Sequence, residues 1–447
     1  MPRPAFIVQM QKHKVRAVKT LCLYLAYTAL GMASGMSGPT ILDLQLTVGS
    51  TFDQITYIIP GRSVGYALGS AIVGVCFSFV NVQALIAITC AFSAVFMGFL
   101  PFNRTLIGLI ATFFANGLVN GMLDTGSNMF TLVLWGKENG PFMQALHFAF
   151  GLGCFHAPLL AKPFLLELLE PLSNVTTTVL GEDNATTDYH DFVFPEFTVD
   201  DVALEVPYGV IAVFMMINAI IFTYLFMRFR ETKPHPSRLE NDVLEKLGGE
   251  FKVNPKSRAT IIVLATLFMH VYCGLELAFG TLITSYAVKC DLKLDKATGA
   301  VMASVYWAFF TFFRLFAIFF ADIIGAEKNI YFNFMLIALS NFFLIPFGNS
   351  NVYCLWAGIV LMGLGTSSIW ASIFGFLEDY FPVTSGMTAA FSVAACLGQS
   401  VMPFIVGHFI DAYPPIFLWV TLGASTLLVV LFTSFSWLCK HRLRNLK

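Results

Sequence analysis

Four polar residues, Asn116, Asn120, Asp124 and Asn128, recur at intervals of four within one long apolar run. A helix turns about 100° per residue, so such a stripe drifts only about 40° per step and all four share one broad face. A carboxylate surrounded by apolar helices needs a cation or a proton as partner, which makes Asp124 a candidate for cation coupling. The three asparagines suit interhelical hydrogen bonds, worth about 0.6 kcal/mol each in a membrane, as well as they suit ligand contacts. Further on, Gln144, His147 and Gly151 fall on one face, with Pro158 placed to interrupt the backbone ladder. Gly151 and Pro158 read most simply as packing and kink residues. Gln144 and His147, rich in donors and acceptors, fit a neutral polyhydroxylated ligand.

The second half of the chain has its own inventory. His270, Tyr272 and Glu276 share one segment, Trp307 and Arg314 stand seven apart in the next, and Trp370 and Gln399 follow. Glu276 matches Asp124 in kind, and structural pairing with Arg314 or Arg62 is its alternative use. Asp322, Glu378 and Asp379 lie at helix ends, as solvated or gate-closing charges.

The elements that must position these residues are helices in lipid. Of 447 residues 57% are hydrophobic and 12% charged, and the mean hydropathy is +0.74, far too apolar for a water-soluble domain. A cytosolic enzyme, a secreted disulfide scaffold and a nucleic-acid binder are thereby excluded. The nine cysteines contain no CxxC pair and lie almost all in apolar segments, as small buried hydrophobes. Division at polar, Pro/Gly and charged breaks gives twelve segments of spanning length: 18–43, 54–80, 82–101, 105–134, 139–166, 206–229, 258–287, 296–321, 329–348, 351–381, 385–410 and 415–439. The expected class is an all-α membrane protein. An N-terminal stretch 1–17 precedes a first half over 18–229, a hydrophilic linker over 230–257 leads to a second half over 258–439, and 440–447 forms a tail. No cleavage-site pattern follows the basic N-terminus, so the first helix is expected to be retained.

An even number of spans puts both termini and the 230–257 linker on one face, which then carries 19 of the 26 Lys and Arg residues. That face is expected to be cytoplasmic. The opposite loop, 169–205, has nine acids, no Lys or Arg, and glycosylation sequons at Asn174 and Asn184. The two signals agree, and imply a multi-pass protein of the plasma membrane.

The chain is also duplicated. Gly117-Leu118 and Gly363-Leu364 are 246 positions apart; Gly153-x4-Pro158 and Gly398-x4-Pro403 are 245 apart; Arg62 and Arg314 form a looser pair at 252. Two six-helix pseudo-repeats are the architecture of major facilitator transporters. From the residues alone the reading stops at a secondary transporter of unknown substrate. A multi-span enzyme would cluster His, Asp or Cys in its loops, and a receptor would not be a duplicated twelve-span chain.

Particular strings go further. Ser37-Gly38-Pro39-Thr40, Gly61-Arg62-Ser63-Val64-Gly65-Tyr66, Leu123-Asp124-Thr125-Gly126-Ser127-Asn128, Met143-Gln144-Ala145-Leu146-His147-Phe148 and Ala157-Pro158-Leu159-Leu160-Ala161-Lys162, with Tyr272-Cys273-Gly274-Leu275-Glu276 and the stretch from Trp307 to Ala321, resemble the sodium-dependent glucose transporter group of the major facilitator superfamily. More distantly the chain is similar to bacterial fucose/proton symporters, which have an essential acid where Asp124 stands. The superfamily's Asp between spans two and three is missing from Gly74 to Asn81, while its second-half echo keeps Asp322. The first-helix acid of the fucose symporters has no evident counterpart, so coupling is expected to rest on Asp124. The long tail associated with mammalian members is lacking, since the chain ends eight residues after Cys439.

The resemblance implies sodium-coupled uptake of glucose or a related hexose by alternating access. A proton-coupled or uncoupled carrier of another small neutral solute is the alternative. Helices one, four, seven and ten would line the cavity. Asp124 would bind the cation, with Asn120, Asn128, Gln144, His147, Glu276, Trp307, Trp370 and Gln399 as substrate contacts. Arg62 would hold the Asp124 region in the empty state, and Arg314 and Asp322 would serve in gating. No cofactor or resident metal is expected beyond the transported sodium ion, and the chain is expected to act as a monomer in lipid. Replacing both sequon residues, Asn174→Gln with Asn184→Gln, should raise gel mobility to that of enzymatically deglycosylated protein; a tag in this loop reached only after permeabilisation would reverse the assigned orientation.

Overall fold

Stretches of about 20 apolar residues satisfy their backbone groups only as helices when water is absent, and that is what the chain forms. The computed structural model describes residues 13–77, 79–136, 139–166, 202–230, 255–380 and 385–443. These contain helices and no strand. In the first half they are α1a (Lys14–Gly35), α1b (Ser37–Val48), α2 (Ile58–Cys76), α3 (Val82–Phe99), α4 (Leu106–Trp135), α5 (Asn139–Ala161) and α6 (Glu205–Arg228). In the second they are α7 (Pro255–Lys289), α8 (Lys296–Ile324), α9 (Ala326–Phe347), α10a (Val352–Thr366), α10b (Ile369–Glu378), α11 (Ser385–Phe409) and α12 (Ile416–Leu438). Among the described residues eleven helices are long and apolar enough to cross a membrane. The helix that falls short is α5, which has the length but carries Gln144, His147 and His156. Asn174, Asn184 and most of the 230–257 linker lie outside the described residues. All nine cysteines are free.

Two helices are interrupted, which an unbroken apolar run does not announce. The first breaks at Met36. Pro39 has no N–H to give the Gly35 carbonyl, and the strand of helix beyond it runs on to Val48, five residues past the expected end. Gly49 closes it with a left-handed backbone at φ 61°. The tenth span breaks at Ser367 and Ser368. There Thr366 and Ser367 turn their hydroxyls back onto the carbonyls of Met362 and Leu364, each at 2.8 Å, which competes with the helical ladder.

The packing repeats between the halves. In the first, α1 lies on α5, α2 on α4 and α3 on α6; in the second, α7 lies on α11, α8 on α10 and α9 on α12. The duplicated glycines are the crossing points. A Cβ on Gly117 would stand 2.1 Å from the Arg62 carbonyl oxygen, and one on Gly363 2.6 Å from that of Tyr306. Likewise Gly153 would meet the Thr28 oxygen at 2.1 Å and Gly398 the His270 oxygen at 1.8 Å. Small residues allow backbones to approach this closely where no hydrophobic effect drives helices together. The offsets of 245 and 246 therefore mark equivalent joints. The halves meet each other through α5 on α8, α2 on α11, and α1b against α7 and α8.

Gly398→Ala should cost about 1–3 kcal/mol through overpacking, and thermal unfolding of the purified protein in detergent should show the lower midpoint. Gly423→Ala, where nothing stands within 4 Å of the new Cβ, should leave the midpoint unchanged or raise it.

Candidate functional site

The α4 stripe splits into two. Asn116 and Asn120 are buried; Asn120 donates to the Asn116 side-chain oxygen at 2.8 Å and accepts from the Ser93 hydroxyl of α3 at 2.8 Å. The drift of 40° per step has carried this pair toward α3. Asn120 thus has both ends of its amide in helix packing, a position unlike the substrate contact expected of it.

Asp124 and Asn128 face the other way, toward α1a. The Tyr27 hydroxyl donates to Asp124 Oδ1. Asn128 Nδ2 reaches the same oxygen at 3.0 Å, the Asp124 carbonyl at 3.0 Å and the Tyr27 oxygen at 3.2 Å. A second phenol, Tyr66 of α2, also stands beside the carboxyl. No basic side chain forms an ion pair with Asp124 among the described residues. The carboxylate is held by neutral donors alone, and Asp124, Asn128 and Tyr66 are each only half-buried.

The Tyr27 ring connects this carboxylate to α5. It meets His147 edge-on at 5.9 Å between centroids and Phe150 at 5.8 Å. Gln144, one turn from His147, is half-buried and makes no hydrogen bond to another described residue; His147 makes none either and meets the Tyr27 ring. Their polar atoms remain available to a ligand.

Arg62 was expected to hold Asp124. It instead directs Nη2 to the Ser34 hydroxyl at 2.7 Å and Nη1 to the Ser34 carbonyl at 3.2 Å, at the α1a/α1b break. Pro39 loosens the ladder there, and the guanidinium supplies donors the backbone lacks. Arg314 behaves similarly on α8: its Nε donates to the Ser367 carbonyl at 2.9 Å, at the α10 break, and its guanidinium lies 4.5 Å from the Phe310 ring centre. Neither arginine forms an ion pair with Glu276 among the described residues, so the structural pairing considered for that acid is not made. Glu276 is half-buried beside Tyr272, with Arg314 nearby.

Of the remaining candidates, Trp307 is 4% exposed, edge-on to Tyr306 and Phe310 and close against Gly280, which makes it core rather than cavity wall. Trp370 packs on Phe374 at 5.6 Å and stays half-buried. Gln399 is half-buried with no hydrogen bond to another described residue. The backbone of Asp322 belongs to α8, but its side chain lies outside the described residues.

Sequence reasoning passed over Tyr27, Ser34, Asp43 and Lys296. Tyr27 and Ser34 give no local signal, since their partners are 97 and 28 residues away. Asp43 did give one. It is an acid inside the first span, completely buried, and its oxygens accept from Lys296 Nζ and from the Leu166 N–H at 3.1 Å. Ending the span at residue 43 disguised it as an interfacial charge and left the first helix without an acid.

The family of the chain follows from what it is similar to. The Major Facilitator Superfamily model matches residues 23–403. Sodium-dependent glucose transporter 1A of Mus musculus is 30% identical over 419 residues, covering 92% of this chain and 94% of that protein. Sodium-dependent glucose transporter 1 of Homo sapiens is also 30% identical, covering 91% and 77%. Major facilitator superfamily domain-containing protein 4A of Homo sapiens is 25% identical, covering 88% and 86%. Among solved structures, a bacterial homolog of the human lysosomal transporter Spinster, inward-facing and unoccupied, superposes with a TM-score of 0.68 at 10% identity, covering 97% of this chain and 98% of that one. A mutant of the nucleoside transporter NupG gives 0.62 at 12%, covering 94% and 99%. At such identities these two show the fold. The chain belongs to the Major Facilitator Superfamily and is a transporter, not an enzyme.

Proposed function

We propose that the chain couples the entry of sodium to uptake of glucose or a related hexose across the plasma membrane, by alternating access around Asp124. The observation that carries this reading is a half-buried carboxylate midway along α4 with hydroxyl and amide donors but no basic partner among the described residues. A charge so placed is expensive unless a cation completes it, and the names of the relatives at 30% identity supply sodium and glucose as the ion and cargo of those proteins. Asp124 with Tyr27 and Asn128 forms the ion-binding wall. Gln144, His147 and Gln399, whose side chains make no hydrogen bond to another described residue, offer hydrogen bonds to sugar hydroxyls. The distribution of Lys and Arg orients the termini to the cytoplasm, so the end of the bundle holding Asp43, Leu166 and Lys296 faces outside.

Radiolabelled hexose uptake into proteoliposomes, with sodium replaced by choline at two pH values, tests the coupling. Uptake should fall on removing sodium at both pH values; dependence on pH alone would transfer the role to a proton. Asp124→Asn keeps hydrogen bonding but not charge, so it should abolish gradient-driven accumulation while sparing exchange. Undiminished sodium-driven uptake in that variant would remove Asp124 from the mechanism.

A hydrogen bond lost to a buried polar group costs about 1–3 kcal/mol, and each 1.4 kcal/mol is about tenfold in affinity. Gln144→Ala should therefore raise the half-saturating hexose concentration roughly five- to a hundred-fold at normal surface expression. The deoxy-sugar lacking the hydroxyl that Gln144 binds should show a similar loss in the native protein and little further loss in the variant. Equal losses for every deoxy-sugar in both proteins would make Gln144 a packing residue.

A further inference from the structure

We infer that Asp43 and Lys296 form the latch that controls whether the end of the transporter opposite its termini opens. The inference needs only the transport class and not the identity of cargo or ion. The pair joins the two halves across 253 residues of sequence, with Asp43 fully buried and Lys296 5% exposed.

The position of Lys296 is hard to explain by its own helix. It is the first residue of α8, behind Asp295, whose carboxylate accepts from the Thr298 N–H and hydroxyl, each at 2.6 Å. That cap already serves the helix start. A lysine in the first turn opposes the helix dipole, which favours acids there. Its compensation comes from Asp43, on α1b of the other half. Asp43 in turn spends its second oxygen on the Leu166 N–H, just beyond α5. One carboxylate therefore gathers α1b, the end of α5 and the start of α8.

Neighbouring contacts between the halves at this end are of a different kind. The Lys289 ammonium lies 4.4 Å from the Phe52 ring centre, Tyr57 meets Phe404 at 5.1 Å, and Gly407 abuts Thr56. Such contacts release without stranding a charge. The Asp43–Lys296 pair does not: it is nearly neutral in energy when both partners are present, because desolvation offsets attraction, yet costly when one is removed. Closing this end with a single partner buries an unpaired charge that only reopening can hydrate. The latch thus works through the penalty for closing incompletely, and neutralising either residue alone favours the open end. Neutralising both removes that penalty and lets the end close again.

Thioether-linked spin labels on Arg104→Cys, in a loop of the first half, and Tyr353→Cys, in the first turn of α10a of the second half at this same end, report the separation in the purified full chain after replacement of the native Cys22, Cys76 and Cys354, which are exposed or half-exposed. Asp43→Asn and Lys296→Met should each raise the long-distance population about tenfold or more, and the double variant should return to the parent distribution. Unchanged distributions in both single variants, or a long component that persists in the double variant, would overturn the latch. A second arm holds even if a single variant fails to accumulate. With Asp43→Cys and Lys296→Cys joined by a short reducible bis-thiol bridge, the long-distance population should vanish and return on reduction; a bridge that forms without affecting it means that this site never separates, which also overturns the proposal.

Discussion

A charged side chain among apolar helices must be given partners, and the partners chosen here fix what each charge is free to do. Arg62 and Arg314 are occupied by backbone carbonyls and a hydroxyl. Lys296 is matched by Asp43. Asp124 receives hydrogen bonds from Tyr27 and Asn128 and forms no ion pair among the described residues. Hydrogen bonding orients that carboxylate but leaves its charge to be balanced, whereas Glu276, also without an ion pair among the described residues, has the Arg314 guanidinium nearby.

The two arginines share a task that their sequence spacing only hinted at. Each reaches from α2 or α8 to a serine carbonyl at the interruption of a neighbouring helix. A break exposes carbonyls that would otherwise be inside the ladder, at the negative end of a half-helix, where a cation is favourable. At α10 the same region is held by Tyr272 on the Thr366 carbonyl at 2.8 Å and by Tyr306 on the Thr366 hydroxyl at 3.2 Å. The interruptions are consequently well-supported features of the fold, each stabilised from outside its own helix.

The fold was legible because its causes are local or periodic. Apolar run length gives the spans, and the glycines recurred at nearly fixed offsets because each permits the same close crossing in its half. The site was legible only in part. Periodicity placed Asp124 with Asn116 and Asn120 on one broad face, but a face spanning more than a quadrant touches two neighbours. Packing gave Asn120 to α3 and Asp124 to α1a. Trp307 was expected among the substrate contacts, whereas the bare surface of Gly280 draws it into the core. Tyr27 is one of many aromatic residues in apolar runs, and only the tertiary fold distinguishes it.

The glycine crossings also bear on mechanics. Within a half, α1 on α5, α2 on α4, α7 on α11 and α8 on α10 touch backbone to backbone at their glycine crossings, where no side chain intervenes to change rotamer. Between the halves one glycine crossing of this kind occurs, Gly38 of α1b against the Thr281 main chain of α7, and other contacts involve side chains, among them Phe148 with Phe312 at 6.0 Å and Ser304 donating to the Phe155 carbonyl at 2.7 Å. Side chains can repack as surfaces slide, whereas interlocked main chains shift only by tearing the joint. Each half is therefore joined within itself at several main-chain crossings, while the seam between the halves has fewer of them and more contacts through side chains that can repack.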